Sequence, residues 1–134
     1  MKRKALTRLA AVLLCLALPL TAPTPAAAAG TKTYKVAAAS ISGKKMRLYW
    51  GITVCKRTDI TECRSHTTRH TTAEHTARVR VPAGWQLTVE LVAFNNRKFR
   101  ARVHTGRKKI LDRRSSRGSM DGHDYQYLGH VFKN

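Results

Sequence analysis

The run HTTRHTTAEH sets His66, His70 and His75 beside Glu74. These residue types move protons and bind metals. Histidines four apart ligate zinc when a helix turns both to one side. This run is rich in threonine, which favours strand or loop, yet on a strand His66 and His70 still share a face. Surface histidines titrating near neutral pH account for the run without a metal, and no metal or other cofactor is expected. Acid–base catalysis would draw on the six histidines of the chain with Glu74 or Glu90. A small secreted nuclease using that His/Glu chemistry is one alternative reading, since cleaving a phosphodiester needs a base, an acid and cations on the phosphate. Their spacing matches no such motif, so no residue is assigned as catalytic. Asp121 and Asp124 flank Gly122 in RRSSRGSMDGHDY, too few carboxylates for a calcium loop, and a flexible turn is expected there.

A second stretch carries a different chemistry. KFRARVHTGRKKILDRR, residues 98–114, is nearly half Lys and Arg, with Asp112 its single acid. On a strand, Phe99, Ala101 and Val103 take one side, while Lys98, Arg100, Arg102 and His104 take the other. HTGR reads as a two-residue Thr105–Gly106 turn, which would set Arg102 opposite Lys109 and His104 opposite Arg107. Like charges facing each other across a sheet are destabilising. The expected polyanion-binding residues are therefore Lys98, Arg100, Arg102, His104, Arg107 and Lys109. The partner would be an acidic polymer or anionic surface (nucleic acid, wall polymer or lipid), held without sequence preference. The competing reading is a solvated edge that uses its charges to block aggregation.

Both stretches need a compartment and a scaffold. The chain opens with Lys2, Arg3, Lys4 and Arg8, continues through an apolar run from Leu9 to Leu20, and reaches small residues at Ala26 to Ala29. That order predicts a secretory signal peptide over residues 1–29 and a β domain over 30–134. The apolar run is too short for a transmembrane segment. After the leader, 22 Lys and Arg stand against seven Asp and Glu, a net charge of +15. Cys55 and Cys63 form an even pair, and an exported chain is expected to join them in a disulfide. Closing that loop stabilises the fold by roughly 2–3 kcal/mol. An extracellular inhibitor or toxin acting on a protein target also fits a small, exported, disulfide-bonded chain, but no loop identifies a target.

Period-2 alternation predicts strands over TYKVAAASI, MRLYWGITVCK, TARVRV, WQLTVELVAF, KFRARVH, RKKIL and DYQYLGHVF. About seven strands with turns between them imply an all-β, single-domain antiparallel β-sandwich or small barrel. Trp50 and Trp85 fall in register with apolar neighbours, so core packing is expected ahead of sugar stacking. Between WQLTVELVAF and KFRARVH, a two-residue Asn95–Asn96 turn would put cations on the apolar face. A three-residue Asn95–Asn96–Arg97 loop pairs Ala93 with Phe99, Leu91 with Ala101 and Val89 with Val103, and is preferred on that ground. It also sets Glu90 opposite Arg102, and it places Val92, Phe94 and Leu111 on the side of the cations.

Overall fold

The computed structural model describes residues 30–134, so the leader expected over residues 1–29 lies outside the described residues. Alternation is realised as nine strands. They are β1 (Lys32–Ser40), β2 (Met46–Lys56), β3 (Cys63–Thr72), β4 (Glu74–Val81), β5 (Trp85–Ala93), β6 (Phe99–Thr105), β7 (Lys108–Arg114), β8 (Ser116–Met120) and β9 (His123–Lys133). They form a four-stranded sheet, β4-β1-β6-β7, packed on a five-stranded sheet, β3-β2-β5-β9-β8, with every pairing antiparallel. The fold is a β-sandwich.

The core takes one side of each central strand. Tyr34, Val36 and Ala38 of β1 and Phe99, Ala101 and Val103 of β6 face Leu48, Trp50 and Ile52 of β2 and Leu87, Val89 and Leu91 of β5. Each large apolar side chain buried this way contributes roughly 1.5–3 kcal/mol. Cys55 and Cys63 sit directly opposite each other across β2 and β3, and they are bonded.

Two strands go beyond the seven expected. The threonine run, left between strand and loop, forms β3, and RRSSRGSMDGHDY, expected as a flexible turn, supplies β8 together with a tight turn. Asp121 and Gly122 both adopt positive φ, 52° and 76°, joining Met120 to His123 in a two-residue hairpin. Asp-Gly is the preferred sequence for such a turn, so the signal was present in the chain.

The β5–β6 connection is the larger correction. These strands form no hairpin: β5 pairs with β2 and β9, while β6 pairs with β1 and β7. Residues 94–98 carry the chain from one sheet to the other. Asn95 secures the crossing: its Oδ1 accepts from the Arg47 amide at 3.1 Å and its Nδ2 donates to the Lys45 carbonyl at 3.3 Å. Asn96, at φ 52°, accepts from Nε2 of the buried Gln126 at 2.8 Å. Gln126 Oε1 accepts from the Ser115 hydroxyl at 3.0 Å, and that oxygen accepts from the Phe99 amide at 3.1 Å. A buried polar side chain with every partner satisfied fixes one geometry, because leaving any of them unpaired is costly. Ser115 occupies the corner where β7 leaves one sheet and β8 enters the other, as strands do at the corners of packed sheets.

Candidate polyanion-binding face

Strand alternation turns Phe99, Ala101 and Val103 inward, so Arg100, Arg102 and His104 point outward as the sequence implies. Their neighbours follow from the ladders. Across β4, β1, β6 and β7 the outward positions form three full rows: Glu74–Ala39–Arg100–Arg114, Thr76–Ala37–Arg102–Asp112, and Arg78–Lys35–His104–Lys109. Arg80 and Thr33 begin a fourth. Seven cations, Lys35, Arg78, Arg80, Arg100, Arg102, Lys109 and Arg114, share this side with two acids. Strands about 4.8 Å apart put each row across roughly 14 Å. Ala37 and Ala39 leave low ground in the middle. A depression of about 360 Å³ lies over them, between Arg100, Arg102 and Arg114 on one flank and Glu74 and Thr76 on the other.

Asp112 organises one corner. Its carboxylate accepts both Nε and Nη2 of Arg100, the latter at 2.9 Å, and Nζ of Lys109 at 2.8 Å. Arg102 Nε lies 3.9 Å away. The Arg100 and Lys109 hydrogen bonds hold the carboxyl well below the usual carboxylate range, and Asp112 in turn raises the Arg100 guanidinium. The cluster keeps the Arg100 guanidinium in one orientation, while the guanidinium groups of Arg102, loosely paired with Asp112, and Arg114 donate no hydrogen bond among the described residues. Free guanidinium forks suit phosphate or carboxylate oxygens, which they grip with two parallel hydrogen bonds.

The expected site is thus regrouped. Arg100, Arg102, His104 and Lys109 share the face. Lys98 stands just before β6, outside the ladder, with its carbonyl accepting from the Ile41 amide at 3.0 Å. Arg107 sits in the turn after Gly106, exposed at the tip. That turn is Gly106–Arg107 rather than Thr105–Gly106. Together with a bulge at Val103/His104 it sets Arg102 against Asp112 and His104 against Lys109. The facing Arg102–Lys109 and His104–Arg107 pairs do not form, and an acid occupies the position expected to hold a cation. Glu90 does not face Arg102; it lies on the outer side of the other sheet, between Gly51 and Gly129. Leu111 turns inward beside Val103. Sequence reasoning missed Lys35, Arg78, Arg80 and Arg114. The alternation of Arg78 and Arg80 with Val79 and Val81 was a usable signal; what was lacking was that β4 and β6 flank the same strand.

The outer side of the five-stranded sheet differs in kind. There Arg69, Tyr49, Val92, Tyr127 and Ser116 form a row, with Arg47 and Phe94 beside it. The Tyr125 ring lies on Gly118, where an added Cβ would come within 2.5 Å of it. A depression of about 610 Å³ is lined by Arg47, Tyr49, Arg69, Phe94, Met120 and Tyr125 among others.

The histidine run is partly gathered. His66 and His70 both face the sandwich interior from β3, opposite Ile52 and Leu48. His70 stacks on His75 with ring centroids 3.8 Å apart, and His75 meets the edge of Trp50 at 4.6 Å. Burial, then the neighbouring His70, lowers the His75 pKa. Glu74 turns to the opposite side of β4 and Glu90 to the far sheet, so these carboxylates and the histidines are not brought into one acid–base set. Asp124 is held by Arg117, and the described residues contain no group of three metal-ligating side chains. Trp50 is core; Trp85 is half-buried, with the Arg64 guanidinium 5.7 Å from its ring centre. Comparison with known proteins adds no assignment: no protein-family model, curated protein or solved structure matches the chain.

Proposed function

We propose that this protein is exported and binds an acidic polymer along the outer side of the β4-β1-β6-β7 sheet, without sequence preference. The observation that carries the reading is the alignment of Arg100, Arg102, Arg114, Lys35, Arg78 and Arg80 in adjacent rows around an alanine floor. Small side chains at Ala37 and Ala39 let a linear polymer approach the sheet while guanidinium groups reach its anionic oxygens from the flanks. The disulfide supports an oxidising compartment. So does the leader-like order of residues 1–29.

The test is a salt titration of binding to duplex DNA as a generic polyanion. Four or five phosphate contacts give a log–log slope of roughly −4, hence a loss of roughly 250-fold in affinity between 50 and 200 mM salt. Two unrelated DNA sequences should bind equally. A slope near zero, or affinity that depends on sequence, overturns the reading. The same samples run on a gel report any strand cleavage.

A further inference from the structure

The sandwich is not closed on all sides. β3 is the edge of one sheet and β4 the edge of the other, and no ladder joins them; their hydrogen bonds are confined to the corner, where the Thr72 hydroxyl donates to the Glu74 carbonyl and accepts from the Glu74 amide. They meet near Ala73, where the His70–His75 stack fills the gap between the sheets. Away from that end a cleft of about 520 Å³ opens. Its walls include Trp50, Ile52 and Val54 from β2, Ala77 and Val79 from β4, and Trp85. Polar and cationic groups rim it: Arg64 and His66 from β3, and Arg78 and Arg80 from β4. The inward positions of β3, which in a closed sandwich would be apolar, are here Arg64, His66, Thr68 and His70. None of the three rim arginines joins an ion pair among the described residues.

We infer that this cleft holds the acyl chain of a long-chain anionic amphiphile, with its carboxylate on the Arg64 guanidinium at the mouth. The volume falls within the ordinary range for small-molecule sites, which are mostly apolar with a few polar groups that fix orientation. An apolar slot with an unpaired cationic mouth is complementary to a molecule carrying one negative charge at the end of a hydrocarbon tail. A fully polar anion would leave the half-buried Ala77, Val79 and Trp85 uncovered, and a neutral lipid would leave the Arg64 guanidinium unmatched. The site is separate from the polymer-binding surface proposed above: Arg78 and Arg80 border the cleft, but as outward positions of β4 their side chains belong to that surface.

The chain has two tryptophans, and both line the cleft. Saturated fatty acids from decanoate to tetradecanoate, kept below micelle formation, should therefore change tryptophan emission saturably. A brominated fatty acid should quench it. Each added methylene should tighten binding by up to about fourfold. Butyrate and dodecanol should bind much more weakly than dodecanoate. Arg64→Glu, at an exposed position, should weaken dodecanoate at least roughly tenfold. Val79→Ser should flatten the chain-length dependence, and Lys44→Ser with Lys45→Ser should leave binding as it was. Thermal unfolding of each variant separates loss of the site from loss of the fold. No saturable response, equal affinity along the acid series, or equal affinity for dodecanol overturns the inference. It is equally overturned if emission changes with protein concentration alone and sedimentation shows a dimer, for then a second copy fills the cleft.

Discussion

On β6 the side chains turned away from the core are Arg100, Arg102 and His104; on β5 they are Thr88, Glu90 and Val92, leading to Phe94. The two strands are separated by one short connection, and both bury the same kind of residue. Had they formed a hairpin, their outer residues would have mixed, and arginines would stand among Val92 and Phe94. Because the connection crosses between sheets, the cations gather on one outer side of the sandwich and the aromatic residues on the other. Seven cations and two acids share the first. Tyr49, Phe94, Tyr125 and Tyr127 occupy the second with Arg47 and Arg69. The character of each surface is set by which strands lie beside each other, and a short loop decides that.

The comparison depends first on the facing of β6. Phe99→Ala should cost about 3–5 kcal/mol in a denaturant titration, as a truncation in a fully buried site. Arg100→Ala, on the outward side, should shift the midpoint far less. Equal shifts would mean that β6 does not present its cations outward.

The next largest effect separates the two surfaces directly. Arg102→Ser with Arg114→Ser should flatten the salt slope on duplex DNA by roughly two. Arg47→Ser with Arg69→Ser removes the same charge from the aromatic side and should leave the slope nearly as it was. If the two double variants weaken binding equally, attraction comes from overall charge rather than from one face.

Asp112 sharpens the picture of the cationic side. Asp112→Asn releases Arg100 and Lys109, so polyanion binding should tighten and the slope steepen by roughly one. The folded carboxyl lies below its ordinary value of 3.8. Its contribution to stability is present above that pH and is lost as pH falls further toward the folded value. The variant should therefore unfold less steeply with acid below pH 3.8 than the parent protein does. A parallel acid profile would show that the cluster adds nothing to the fold.

A smaller effect is expected where the two sheets meet. His75 has its pKa lowered from 6.5, first by burial and then by His70. As pH falls, the unfolded chain takes up this proton before the folded protein does. Stability should be greatest above about pH 6.5 and decline as pH drops through that value. His75→Gln should remove that step from a plot of melting temperature against pH. The smallest effect expected is none: Phe94→Ser with Tyr127→Ser, both on exposed aromatic positions, should leave the salt slope unchanged.

Strand β2 was legible to the residue, from Met46 to Lys56, because period-2 alternation is a property of consecutive residues and needs no partner. The same holds for the inward facing of Phe99, Ala101 and Val103, whereas the Cys55–Cys63 bond was legible because these are the two cysteines of residues 30–134. β8 was legible in principle through its Asp-Gly turn. The candidate face was only half legible, since Lys35, Arg78 and Arg80 lie far from Arg100 in the chain and join it only because β1 stands between β4 and β6.

The sequence by itself determined the all-β class, the two-sidedness of the central strands β1, β2, β5 and β6, and the surplus of positive charge, since all three are carried by residue type and near-neighbour spacing. The tertiary structure alone decided which strands are neighbours. That choice rests on contacts between residues far apart in the chain: Asn95 with Arg47, Asn96 with Gln126, and Ser115 with both Gln126 and Phe99. A hairpin between β5 and β6 would satisfy local alternation as well as the crossing does. The crossing brings Asn96 and Ser115 to Gln126, so that this side chain meets its hydrogen-bonding needs as it leaves water.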